Sequence, residues 1–230
     1  MIFRQLFDAE SSTYTYLLGD QGTRRAVLID PVLEQVERDL RLVQELGLEL
    51  ALILETHVHA DHVTGAGALR AHTGARTVVS EKGATCADGS VRDQEILRVG
   101  AIEIKALATP GHTDDSLSYL AGDRVFTGDA LLVRSAGRTD FQNGNSGQLY
   151  DSITQVLFQL PDDTLVYPAH DYHGMTRSTI AEEKRWNPRV ANKSRQEFIE
   201  LMNALHLPPP KKFDLAVAAN RACGEVRQGV

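Results

Sequence analysis

Cysteine is nearly absent from this sequence: 230 residues contain only Cys86 and Cys223, far apart and in no CxxC pair. That spacing excludes a dense disulfide framework and a thiolate zinc site, and it predicts two reduced, structural thiols. Long apolar runs are missing too. No stretch approaches the roughly 20 residues that span a bilayer, so no membrane segment is expected. Basic charge is in deficit, with 24 Lys and Arg against 31 Asp and Glu and a formal net charge of −7. Nucleic acid and anionic lipid both require clustered cations, so neither is an expected partner, whereas small anionic ligands remain open through local arginines. The opening MIFRQLF has no basic start followed by a sustained apolar run, and it lacks the Arg- and Ser-rich profile of a transit peptide. It reads as the first strand of a cytoplasmic protein.

What is present is an ordinary globular balance, 42% hydrophobic and 24% charged, in a length that suits one domain with a modest extension. Short β-rich runs at 2–7, 14–18 and 25–29, separated by turn-formers, predict an antiparallel meander. From Pro31 to Leu46, Val32, Val36, Leu40, Val43 and Leu46 recur at helical spacing. The nearly continuous apolar run 48–54 then predicts a strand covered on both faces, which stops at Glu55-Thr56-His57. Further strands are expected at 77–79, 96–99, 102–106, 117–120, 125–126 and 165–167, with helices near 148–160, 178–185 and 194–205. The alternation predicts an α/β architecture of two sheets with helices outside. We expect a single domain over 1–230 with a short helical extension from about 175, and no repeat or low-complexity tract beyond Pro208-Pro209-Pro210.

The run Thr56-His57-Val58-His59-Ala60-Asp61-His62 places three imidazoles and a carboxylate directly after the buried strand. Metal binding explains such a cluster, because a loop turning into a helix can bring these side chains to one point. His112 in TPGHT, Asp129 in FTGD and His170 in YPAH also follow apolar strands. Five of the eight histidines thus share one end of successive strands, where α/β architectures assemble their sites. By spacing alone, His57, His59 and His112 could hold one metal, Asp61, His62 and His170 another, with Asp129 bridging. Two zinc ions held in this way would activate water for attack on a thioester or amide.

This ordered set resembles the metallo-β-lactamase superfamily, which implies an αββα sandwich of two mixed sheets flanked by helices with the metal at one edge. A finer likeness lies in Gly137-Arg138-Thr139-Asp140-Phe141-Gln142, in Tyr167-Pro168-Ala169-His170-Asp171-Tyr172-His173-Gly174 and in residues 182–189. These segments resemble the persulfide (sulfur) dioxygenase branch. That resemblance implies one Fe(II) per chain on His57, His112 and Asp129, with His59, Asp61, His62 and His170 in an outer shell. Two imidazoles and one carboxylate leave positions open for substrate and dioxygen, and zinc has no redox step to offer. The implied substrates are glutathione persulfide and O2, the implied products sulfite and glutathione, and the implied assembly a homodimer. Arg138, Arg189, Tyr172 and Asn220 are candidates to bind glutathione, whose two carboxylates suit cationic and amide donors, and Tyr172 also belongs with the reacting centre. The rival of nearest chemistry is a dinuclear zinc hydrolase of glutathione thioesters, of glyoxalase II type. A rival of another class is a non-catalytic module that binds metal or glutathione.

Overall fold

The computed structural model describes residues 1–208 and 212–224. Pro209, Pro210 and the residues after Gly224, where part of the expected extension falls, lie outside the described residues. Contacts divide the chain into two units, the first formed by 1–91, 97–103 and the described C-terminal residues from 212 onward, the second by 92–96 and 104–208.

In the first unit, β1 (Ile2–Asp8), β2 (Thr13–Gly19) and β3 (Arg25–Ile29) form the expected antiparallel meander. The sheet then turns parallel through β4 (Glu49–Leu54), β5 (Arg76–Ser80) and β6 (Gly89–Val91), in the order β1-β2-β3-β4-β5-β6. Parallel neighbours need crossovers. α1 (Val36–Glu45), entered through a 3-10 turn at Leu33–Gln35, joins β3 to β4, and α2 (Ala66–Thr73) joins β4 to β5. Leu17, Leu28, Ile53 and Leu69 pack with Val36 and Val43 of α1 into one apolar core. The register pairs Ile29 with Leu54. Asp30 and Glu55 therefore leave adjacent parallel strands side by side, and the histidine-rich run begins there.

The second six-stranded sheet has the order β12-β11-β10-β9-β8-β7. In chain order its strands are β7 (Ile96–Val99), β8 (Ile102–Ala108), β9 (Leu117–Ala121), β10 (Arg124–Gly128), β11 (Leu165–Pro168) and β12 (Ser178–Thr179). β8 and β10 each run antiparallel to β9, and β11 runs parallel to β10. Strands β8, β10 and β11 therefore end at the same sheet edge, followed by His112, Asp129 and His170 in turn. Helices α3 (Ser146–Asp151), α4 (Ile180–Trp186) and α5 (Arg195–Asn203) belong to this unit, whose core gathers Val125, Leu149, Ile153, Val166, Ile180 and Phe198.

Two expectations are corrected. The helix expected over 148–160 is broken into α3, a π-helical turn at Ser152–Val156 and a 3-10 turn at Leu157–Gln159. Ser152 at the break donates to the Pro110 carbonyl (2.7 Å), tying this element to the turn that carries His112. The cysteines are not reduced thiols: Cys86 and Cys223 form a disulfide with their Cα atoms 5.9 Å apart. Sequence spacing hides such a pairing, because a separation of 137 positions is closed by α6 (Phe213–Arg221), a helix within the expected C-terminal extension. Closing a loop of that length is worth on the order of 5 kcal/mol against the open unfolded chain in the chain-entropy limit.

Asp39 of α1 is fully buried beside Arg38 (2.8 Å). Burial pushes its carboxyl up to about 6 despite the Arg38 charge and hydrogen bond. A carboxyl raised in the folded state favours folding below its unfolded value near 3.9 and opposes it once ionised above about 6. Asp39→Asn should therefore gain stability relative to the native protein as pH rises from 4 to 7, by about 2 kcal/mol, measured by denaturant unfolding at both values.

Candidate metal centre

In the first unit, the loop after β4 is fixed by a carboxylate from β3. Asp30 accepts the Thr56 backbone N–H (2.7 Å) and the Thr56 hydroxyl (2.8 Å). Having given its proton to Asp30, the hydroxyl can only accept from His57 Nδ1, 3.0 Å away. His57 Nδ1 therefore carries the proton, and Nε2 is the lone-pair nitrogen that a metal requires.

His59 Nε2 lies 3.2 Å from Asp30 Oδ1 and 3.5 Å from Glu55 Oε2, fully buried. Burial alone would lower its pKa, but the Asp30 and Glu55 carboxylates outweigh it and leave the imidazolium favoured. Burial raises the pKa of Glu55. Its other oxygen accepts from the Thr64 hydroxyl at 2.5 Å. The His59 ring also lies tilted against those of His57 and His62, with centroids 4.1 and 4.4 Å away. His62 Nδ1 approaches Asp61 (3.1 Å) and the Thr13 hydroxyl (3.3 Å). His59, Asp61 and His62 can bring one ligand atom each within 4.8 Å of one another, and so can Asp30, Glu55 and His59.

The second unit repeats the logic at its own sheet edge. His112 Nδ1 donates to the Arg138 carbonyl (2.7 Å), which again leaves Nε2 as the lone-pair nitrogen, 3.6 Å from Asp129 Oδ2. His170 Nδ1 is 2.6 Å from Asp129 Oδ1, and a carboxylate only accepts, so His170 donates. One oxygen of Asp129 is thereby anchored while the other faces His112. Both ligand candidates crowd a glycine: a Cβ at Gly137 would meet the Asp129 carbonyl oxygen at 2.2 Å and the His112 ring at 2.9 Å. Gly111, at φ +136°, lets the turn before His112 lie against the Leu149 backbone.

The four expected glutathione contacts are placed differently from one another. Asn220 is buried, and its amide donates to the carbonyls of His59 (2.9 Å) and His62 (2.8 Å) while accepting from Thr64 N–H (2.8 Å). It is a brace of the histidine loop, since a side chain engaged on both donors and its carbonyl has little left for substrate. Arg138 forks a carboxylate as expected, but the carboxylate is Asp140 (2.7 Å at both Nε and Nη2). Its remaining contacts go to the Leu207 and Pro208 carbonyls and the Phe141 ring. Hydrogen bonding to Arg138 holds the Asp140 carboxyl below its usual range. Arg189 donates to the Ala136 carbonyl (2.7 Å), half-buried, with its pKa lowered by desolvation. Tyr172 is 66% exposed and stacks parallel to His170, ring centroids 6.1 Å apart.

Asp30, Thr56, Glu55 and Gly137 went unassigned in the sequence reading. The one signal that could have found Asp30 is its position directly after a strand expected beside that of the histidine loop.

The sequence profile of the Metallo-beta-lactamase superfamily matches residues 9–85 and 87–170. "Persulfide dioxygenase ETHE1, mitochondrial" of Bos taurus is 48% identical over 227 residues, covering 97% of this chain and 89% of the relative. The chain belongs to the persulfide dioxygenase branch of the metallo-β-lactamase superfamily. Within that family, the crystal structure of ETHE1 from Myxococcus xanthus is 68% identical and superposes with a TM-score of 0.97, covering 98% of this chain and 100% of the other. A probable hydroxyacylglutathione hydrolase of Schizosaccharomyces pombe is more distant, 33% identical over 175 residues, or 73% of this chain and 67% of that one. The expected superfamily fold, two mixed sheets with flanking helices, is the one found.

Gly137 gives this persulfide dioxygenase family member a direct test. Gly137→Ala should keep the far-ultraviolet circular dichroism of the native protein while weakening metal binding by roughly tenfold or more, measured by competition with a chromogenic chelator.

Proposed function

We propose that this chain is a persulfide dioxygenase that holds one Fe(II) on His57, His112 and Asp129 and acts on glutathione persulfide. The reaction balances as glutathione persulfide, O2 and water giving glutathione, sulfite and two protons. The observation that carries the metal assignment is the hydrogen-bond pattern around these three side chains. Thr56 and the Arg138 carbonyl each engage the Nδ1 of a histidine, which leaves Nε2 as the ligand nitrogen of His57 and of His112, and His170 holds Asp129 by one oxygen. Two neutral imidazoles and a carboxylate held by one oxygen suit a non-haem Fe(II) with open positions. Iron supplies the one-electron chemistry that activates dioxygen, which zinc lacks.

The chain's own residues do the rest. Asp30, acting through Thr56, orients His57, and His170 orients Asp129. Tyr172, exposed and stacked on His170, offers its hydroxyl to the substrate. Arg138 serves the same end indirectly, by fixing through its own carbonyl the ring of His112. Glutathione as the carrier and a homodimer belong to this proposal by resemblance, and a cytoplasmic setting belongs to it by the character of the opening residues. Among the described residues, no helix is long and apolar enough to cross a membrane.

The decisive assay combines metal analysis with an oxygen electrode on one preparation. About one iron per chain, with oxygen uptake matched by sulfite when glutathione persulfide is added, is the expected result. Two zinc ions, no oxygen uptake and hydrolysis of a glutathione thioester would replace this reading with the dinuclear one. Tyr172→Phe should retain its iron yet lose roughly tenfold in kcat/KM, the worth of one hydrogen bond to substrate.

A further inference from the structure

The disulfide has no part in the chemistry above, yet it sits at the far end of a brace on the metal loop. Cys223 ends the segment that carries Asn220, and the Asn220 amide bridges the backbone of His59, His62 and Thr64. The Cys223 carbonyl also accepts the Gly67 N–H (3.0 Å), and a Cβ at Gly67 would approach that oxygen to 2.4 Å. The segment from Asn220 to Gly224 is thus seated directly on the residues that run from the histidine loop into α2. At its start, α6 is held by Lys212, which pairs with Glu34 (2.9 Å) and Glu10 (3.0 Å). At its end the covalent hold is the bond to Cys86.

The two cysteine residues differ in exposure, with the Cys86 sulfur lying 3.5 Å from the Arg221 carbonyl. Cys223 is 2% exposed, whereas Cys86 is half-buried in a turn whose neighbours Thr85 and Asp88 are exposed. The backbone at Cys86 is anchored to α2 as well, since its carbonyl accepts from Arg70 Nη1 (3.0 Å). An incoming sulfur nucleophile therefore meets Cys86 first, with Cys223 as the leaving group. Where low-molecular-weight thiols are abundant, a disulfide that persists as a mere staple is unusual, and one that exchanges is the rule.

We propose that Cys86–Cys223 is a thiol-exchange site, and that opening it releases the C-terminal brace from the metal loop. A low-molecular-weight thiolate attacks Cys86 Sγ; the Cys86–Cys223 bond breaks, a mixed disulfide forms on Cys86, and Cys223 leaves as a thiolate that takes a proton from water. A second thiolate attacks the sulfur of the first, the bond from that sulfur to Cys86 breaks, and Cys86 leaves as a thiolate that takes a proton from water, so two thiols are oxidised to their disulfide and the protein gains two thiol groups. The brace then sits on the loop through the Asn220 hydrogen bonds and the Cys223 carbonyl, without its covalent hold. The device goes beyond the oxygenation reaction and would hold whichever metal the loop serves.

The test uses the full-length protein. Peptide mapping without reductant should recover a Cys86–Cys223 linked peptide, and graded exposure to glutathione should place the first adduct mass on Cys86. Amide hydrogen exchange over residues 57–64 and 213–224 should then accelerate by roughly tenfold in the reduced protein. Cys86→Ser should exchange at that faster rate with or without reductant, and release of bound metal to a chelator should quicken in parallel. Absence of the linked peptide, or equal exchange in the oxidised and reduced forms, would overturn the proposal, and the comparison of the two native forms stands even if the variant folds poorly. None of these readouts needs oxygenase turnover, so failure here is distinct from failure of the functional reading.

Discussion

Asp30 carries more of the site than any ligand does. Its carboxylate, 1% exposed at the end of β3, takes the N–H and hydroxyl of Thr56 and faces the Nε2 of His59. A buried carboxylate is costly unless each oxygen is satisfied, so the loop after β4 is drawn onto it and held in one conformation. That conformation decides which nitrogen of His57 carries a proton. Ligand orientation is therefore settled one residue away from the ligand, by hydrogen bonds that cost the protein no reorganisation when metal arrives.

The second unit reaches the same outcome with different parts. Here a backbone carbonyl, that of Arg138, fixes the His112 tautomer, and a histidine, His170, fixes the carboxylate. Gly137 permits the close approach that both need. The conspicuous charge of Arg138 is spent on Asp140 and on carbonyls of the chain, so the residue matters as much for where it puts its backbone as for its guanidinium.

Much of this was readable from the chain because metal ligands cluster locally and follow strands. The run from His57 to His62 and the three strand-end residues announce themselves by type and position, and the apolar run before Glu55 places them at a sheet edge. Support for the ligands was not readable in the same way. Asp30 meets Thr56 only because β3 and β4 pair in parallel with Ile29 beside Leu54, a register that no periodicity encodes. The hold of Asn220 on the histidine loop was hidden because its partners lie some 160 positions earlier in the chain. The cysteines misled for the same reason, since their pairing depends on where α6 returns the chain. The broken helix after α3 depends on one hydroxyl reaching Pro110, which helical spacing cannot reveal.

The central claim, one iron on two neutral imidazoles and one carboxylate, is tested most directly by X-ray absorption at the iron edge of the freshly loaded protein. The account predicts a first shell of nitrogen and oxygen donors with the scattering signature of two imidazoles and no neighbouring metal. A metal–metal vector at about 3.5 Å, the spacing of two-metal hydrolytic sites, would contradict it.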